Sequence, residues 1–258
     1  MSNITPVQKL KQVVKGDSVQ EQFQNALKDG SGLFVASLID IYANDKYLQK
    51  CAPQAVVMEA LKAATLKLPI NKNLGFAYIV PYGNEPQFQL GYKGYIQLAQ
   101  RSGKYKYINA DVVYEGELQG HDKVTGELDL NGEATSDKVI GYFAYIETTN
   151  GFKKAIYWTK DKLTAHAKRY SKSYSSKSSA WQSNFDEMAL KTMLRNLLSK
   201  YGVMSVEMMN AFTADSKDER THEAQVEDEI NEQANEEFID VEAEAVEEEK
   251  PEKKGPGF

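Results

Sequence analysis

"LGFAYIVPYGNEPQFQLGYKGYIQLAQ", Leu74 to Gln100, changes its hydrophobic period part-way. "LGFAYIV" and "PQFQL" are short apolar segments around "PYGNEP", whose prolines, glycine and asparagine suit a loop between paired strands. From Tyr92 the spacing turns helical. Tyr92 and Tyr95 share a face if a helix starts there, Lys93 points elsewhere, and Gly91 and Gly94 permit close approach of another backbone. Strand pair followed by helix puts the chain in a mixed class, and both flanks agree.

Upstream the sequence reads as helices. Ser18 and Glu21 have the spacing of a capping box, followed by an apolar stripe at Val19, Phe23 and Leu27. Gly30, Ser31 and Gly32 interrupt before "LFVASLIDIYAN". A third helix is expected from Pro53 to about Leu68, stopped by Pro69, with Val56, Val57, Ala60, Leu61 and Ala64 on its inner face. Downstream, "INADVVYEG", "GELDL", "KVIGYFAYIET" and "FKKAIYWT" read as strands of an antiparallel meander, with "TNG" an Asn-Gly hairpin signal. Helices resume at Thr159, a candidate N-cap. After the polar "YSKSYSSKSSAW", a long helix is expected from Trp181 to Tyr201, ending at Gly202. The fold class is therefore α+β: a small antiparallel meander packed against helices, with a helical N-terminal region.

The chain has 258 residues and a net charge of -6, but the charge is unevenly placed. Residues 215–258 carry 17 acids and 5 bases, leaving 20 acids and 26 bases for residues 1–214. Rich in Glu and poor in aromatics, residues 216–258 are expected to be a disordered acidic tail. Within it, "EEFIDVEAEAV" at 236–246 mixes acids with Phe238, Ile239, Val241 and Val246, as a partner-docking motif or a solvated solubility tail would. The boundaries expected are 1–44 for a helical region of packing or oligomerisation, 45–214 for the core, and 215–258 for the tail.

Composition also restricts the chemistry. Cys51 is alone, so no intrachain disulfide forms. Apolar runs fall short of the roughly 20 residues that span a bilayer, and the start lacks the pattern of a secretory signal. A cytoplasmic address follows. The phosphate-loop pattern is missing: Gly103-Lys104 has Leu98 where the first glycine belongs and Tyr105 where Ser or Thr belongs. His121, His166 and His222 are too far apart to suggest a metal site. Glu147 near Lys153 and Lys154 is the one faint echo of a metal-dependent nuclease. No catalytic residue is assigned.

Binding residues are better represented. Arg101, Lys104 and Lys106 cluster around Gly103, close to Gln89, Tyr92 and Lys93. A second region, residues 153–200, holds 11 bases and 3 acids, among them Lys153, Lys154, Lys160, Lys162, Lys172, Lys191, Arg195 and Lys200. Lys191 and Arg195 are four apart and lie on one helical stripe; Lys200 falls on another face. Rings that stack on bases and cations that meet phosphates together make a platform for single-stranded nucleic acid. The candidate DNA contacts are Gln89, Tyr92, Lys93, Arg101, Lys104, Lys106, Lys153, Lys154, Lys160, Lys191, Arg195 and Lys200, with Lys191 and Arg195 the leading pair. Tyr95 is expected inside.

"LPINKNLGFAYIVPYGNEPQFQLGYKGYIQLAQRSGKY", Leu68 to Tyr105, closely resembles the signature of the RecT family of phage and prophage single-strand annealing proteins. The likeness continues through "VYEGEL", "SDKVIGYFAYIETTNGF" and "YWTKDKL" to "WQSNFDEMALKTMLRNLLSKYG", covering about Asp45 to Met208. The resemblance implies an ATP-independent recombinase of homologous recombination and DNA repair. Such a protein coats single-stranded DNA, assembles into rings or helical filaments, and pairs the strand with its complement through an annealed duplex intermediate. It implies a partner phage exonuclease and, through the tail, a host single-strand-binding protein, in the bacterial cytoplasm. No cofactor is required, although magnesium is a candidate modulator of DNA binding or assembly. A metal-dependent nuclease and a passive single-strand coat are the alternatives.

Overall fold

The structure, a computed structural model, describes residues 4–171, 173–177 and 179–215. The acidic segment 216–258, with its 236–246 docking stretch and His222, lies outside the described residues, as does Lys172. Helix α1 (Pro6–Val14) opens with a reciprocal cap: the Gln8 N–H donates to the Thr5 hydroxyl at 3.2 Å, and the Thr5 N–H donates to Gln8 Oε1 at 2.8 Å. The capping box expected at Ser18 does not form, because helix α2 (Asp17–Leu27) starts two residues earlier, with Gly16 as its N-cap. Nor do Ser31 and Gly32 interrupt. They are the first turn of α3 (Ser31–Asn44), and the break falls on a 3₁₀ turn at Lys28–Gly30.

Helix α4 (Pro53–Thr65) begins with its proline and buries Val56, Val57, Ala60, Leu61 and Ala64 as the apolar spacing requires. It stops short of Pro69. Lys67 adopts a left-handed backbone, φ 53°, and the N–H groups of Lys67 and Leu68 close onto the carbonyls of Ala64 and Ala63.

Strands β1 (Ala77–Tyr82) and β2 (Glu85–Leu90) form the expected hairpin, with Tyr82 opposite Glu85 and Gly83 at φ 61° in the two-residue turn. Among the described residues, no strand pairs with the far edge of β2. Its exposed donors find carboxylates instead: the Phe88 N–H donates to Glu59 at 2.8 Å and the Leu90 N–H to Asp215 at 2.8 Å. Buried backbone donors need partners, and here two acids substitute for a third strand. Helix α5 (Tyr92–Arg101) follows at once. A Cβ on Gly91 would lie 2.1 Å from the Gly75 carbonyl oxygen, and one on Gly94 2.3 Å from that of Phe76. The backbone that these glycines admit is thus the protein's own approach to β1.

The meander is β3 (Tyr105–Tyr114), β6 (Val139–Thr148) and β7 (Lys153–Thr159), antiparallel in the order β3-β6-β7. It is smaller than the sequence suggested. "GELDL" contributes only β5 (Leu128–Asp129), which pairs with β4 (Gly120–His121) in a separate ladder, and β1–β2 is a sheet of its own. The excursion closes on itself because Glu115 binds the Ser136 hydroxyl and Lys138, bringing its two ends together. At "TNG", Gly151 takes φ 87° and the Thr148 N–H reaches the Phe152 carbonyl, closing a three-residue loop.

Thr159 caps α6 (Lys160–Tyr170), its hydroxyl accepting from the Lys162 N–H. The long helix expected from Trp181 is two: α7 (Ala180–Ser183) and α8 (Phe185–Tyr201), separated at Asn184, which sits at φ -140° and ψ 56°. Helix α8 crosses the meander and touches α5, burying Leu190, Met193, Leu194, Leu197 and Leu198. One further helix, α9 (Val206–Asp215), was not anticipated. Its buried positions are Met208, Ala211 and Asp215, and a stripe that small, with an acid in it, carries little periodic signal. Cys51 is buried. No helix among the described residues is long and apolar enough to cross a membrane.

Candidate nucleic-acid interface

The basic residues divide into three environments. The first is internal. Lys191 and Arg195 do share a stripe of α8, but the stripe faces α9. Asp215, its side chain fully buried, takes Lys191 Nζ at 2.9 Å and Arg195 NH1 at 3.4 Å. The same carboxylate accepts from the Tyr95 hydroxyl at 2.8 Å and from the Leu90 N–H. Phe212 lies over both Tyr95 and the Arg195 guanidinium. The leading pair of expected phosphate contacts is therefore paired inside the protein, a correction to the DNA-facing stripe expected on α8. Tyr95 is fully buried, as expected. Gln89 is also buried, donating to the Tyr82 hydroxyl at 2.6 Å. Arg101 turns back to the end of α4, donating to the carbonyls of Leu66 and Lys67 and satisfying that helix terminus.

The second environment is the exposed end of the meander. Tyr107, Glu147 and Lys153 stand opposite one another across β3, β6 and β7. A register shift between Tyr105 and Tyr107 turns Lys106 to the same side. Lys106 then reaches Glu147 at 2.9 Å, Lys153 approaches it at 3.8 Å, and the Tyr145 hydroxyl donates to it at 3.2 Å. The hydrogen bond from Lys106 holds the Glu147 carboxyl below the usual glutamate range, and the same bond raises Lys106. Lys106 also lies 5.3 Å from the Tyr107 ring centre. Next to this row, Lys154 donates to the Thr125 carbonyl at 2.8 Å and lies 5.3 Å from the ring of Tyr201. Lysines, not acids, surround Glu147. Among the described residues, no three His, Cys, Asp or Glu side chains come together to hold a metal.

The third environment is a scatter of cations set on rings: Lys93 over Tyr92, Lys160 over Phe185 and Lys162 over Trp158. Lys104 is exposed. Trp158 near the end of β7 and Lys162, His166 and Tyr170 of α6 are spaced four residues apart, and the rings of Trp158, His166 and Tyr170 follow one another at 5.1 and 4.6 Å. Sequence reading counted only the bases here. The four-residue spacing of aromatic, lysine, histidine and aromatic was the signal that could have found the row.

The sequence model of the RecT family matches residues 32–254. The chain belongs to the RecT family. That makes it a protein of DNA recombination of the single-strand annealing kind. The match extends past both ends of the resembling segment, 45–208. Among relatives, the chain is 48% identical to the uncharacterized protein YqaK of Bacillus subtilis (strain 168) over 80% of its own length and 73% of the relative's. It is 29% identical to Protein RecT of Escherichia coli (strain K12) over 67% of each chain.

Proposed function

We propose that this RecT-family protein binds single-stranded DNA along the exposed, ring-backed cations of the meander and α5, oligomerises on it, and pairs it with a complementary strand without ATP. The family match carries the reading. The geometry supports it through the second and third environments, where Lys106, Lys153, Lys154, Lys93 and Lys160 pair a phosphate-binding charge with an adjacent ring or polar anchor. Each stacked base-pair step releases on the order of 1.4 kcal/mol, so pairing drives itself once two phosphate chains tolerate one another. Lysines that neutralise phosphates supply that tolerance. In this reading, Lys191, Arg195, Gln89 and Arg101 shape the face from within. Residues 45–214 are the DNA-handling core, with residues 1–44 available for packing between protomers. The tail is the segment through which an exonuclease or a single-strand-binding protein would be recruited, and magnesium would act on assembly and not on chemistry. Mixing the protein with two complementary labelled oligonucleotides, without ATP, and following duplex by energy transfer tests the proposal. Faster pairing than the spontaneous rate is expected. Binding without acceleration would leave a passive coat, and strand cleavage with magnesium a nuclease.

A further inference from the structure

Between the β1–β2 hairpin and the α7–α8 corner is a recess of about 190 Å³. A cavity of about 150 Å³ suffices for benzene, whereas drug-sized ligands occupy about 300–1,000 Å³. The space suits one flat ring system and excludes a whole nucleotide. Tyr78 and Tyr92 contribute rings to the lining, and Val80, Leu90 and Met188 contribute apolar surface. Four polar side chains line the same space: Gln89 from the hairpin, Asn184 and Glu187 from the helix corner, and Lys191 one turn further along α8, whose ammonium is already matched by Asp215 at 2.9 Å.

Gln89 and Lys191 are bonded within the fold, whereas the two groups from the helix corner are not committed to it. Asn184 occupies the N-cap position of α8, yet its side chain makes no capping bond. The Glu187 carboxylate is exposed at the rim and forms no ion pair among the described residues. Its charge is felt by Tyr78, whose hydroxyl is pushed up by burial first and by Glu187 second. Gln89, by contrast, is more than nine-tenths buried and anchored on Tyr82. Outside the recess, Lys93 stands 5.7 Å from the Tyr92 ring centre, placed for a phosphate flanking whatever the ring holds.

We infer that this recess takes a single unstacked base of the bound strand, with preference for a base bearing an exocyclic amino group. The inference rests on the single-strand reading above and assigns it a base-specific site. A carboxylate accepts from an amino group, as Glu accepts from the cytosine N4 amine, whereas the carbonyls of thymine would oppose it. An acid on a DNA-binding face thereby has a reason to be there. Ring stacking supplies the sequence-tolerant part of the affinity.

The test uses the full chain and fluorescence anisotropy at low salt with three strands of equal length: oligo-dC, oligo-dT and an abasic sugar–phosphate chain. Affinity is expected to fall from dC to dT by a few-fold, and from dC to the abasic chain by about tenfold or more, the scale of one missing stack. Tyr92→Leu keeps apolar bulk without a π face and should bring dC down towards the abasic value. Glu187→Gln should erase the dC-over-dT difference, with circular dichroism showing both variants folded. Equal binding of all three strands, or variants that weaken all three by one factor, would overturn the base site and leave backbone binding standing. Failure of the folded protein to bind any of the three would overturn the single-strand reading and the site with it.

Discussion

Two clusters in this molecule have nearly the same composition and opposite consequences. Each gathers two cations around one carboxylate: Lys191 and Arg195 around Asp215, Lys106 and Lys153 around Glu147. In the first, the cation side chains keep 11% and 10% of their exposure and the acid none; in the second, the lysines keep 57% and 64%. Removing ions from water is costly unless the geometry and further hydrogen bonds compensate, and Asp215 has both, with a tyrosine hydroxyl and a backbone N–H completing its shell. That cluster is structural, tying α8, α9, α5 and the edge of β2 together. Around Glu147, whose own side chain keeps only 11% of its exposure, water still solvates both lysines, so the clasp is weaker than a fully buried one and a phosphate can compete for the lysines.

The contrast breaks most visibly at Asp215. Asp215→Asn or Lys191→Met should lower unfolding free energy by about 3–5 kcal/mol, the usual effect of leaving a buried charge unmatched, measured by urea denaturation. A folded, equally stable variant with weakened DNA binding would instead return Lys191 to the DNA face. Next in size, Lys106→Ala with Lys153→Ala should cost less in urea unfolding than the Asp215 variants, since the Tyr145 hydroxyl stays on Glu147, while lowering affinity for single strands of any sequence. The salt slope should fall by about 0.7 for each phosphate that is no longer neutralised, read from titrations at several salt concentrations.

Smaller effects sharpen the difference. Glu147→Gln removes the anion that competes with phosphate, so affinity for single-stranded DNA should rise and the salt slope steepen, the reverse of any change at Asp215. The pH dependence is smaller still. Because folding depresses the Glu147 carboxyl, its clasp stabilises above the ordinary glutamate range and is lost as pH falls through the lowered value. The Tm gap between wild type and Glu147→Gln should therefore close on acidification. A gap that widens would show that the carboxylate is not held by Lys106.

Several elements were legible because their signals are local. The β1–β2 turn, the Thr159 cap, the inner face of α4 and the burial of Tyr95 follow from spacing and residue type, and the α+β class follows from them. The misplaced Ser18 cap and the merged α7–α8 helix show the limits of that reasoning, since a two-residue shift of start or a single non-helical residue leaves the periodicity downstream intact. The site was less legible. Sequence located the basic regions but could not rank their members, and it gave first place to the two cations that the fold encloses.

By itself, then, the amino-acid order determined the class of fold, the basic character of residues 1–214 and the resemblance to an annealing family, since each depends on near neighbours or on composition. Only the tertiary structure decided which lysines meet water, because that depends on Asp215 arriving from a helix 20 or more residues further along the chain. Charge is written in the sequence, but its availability is set by what folds over it.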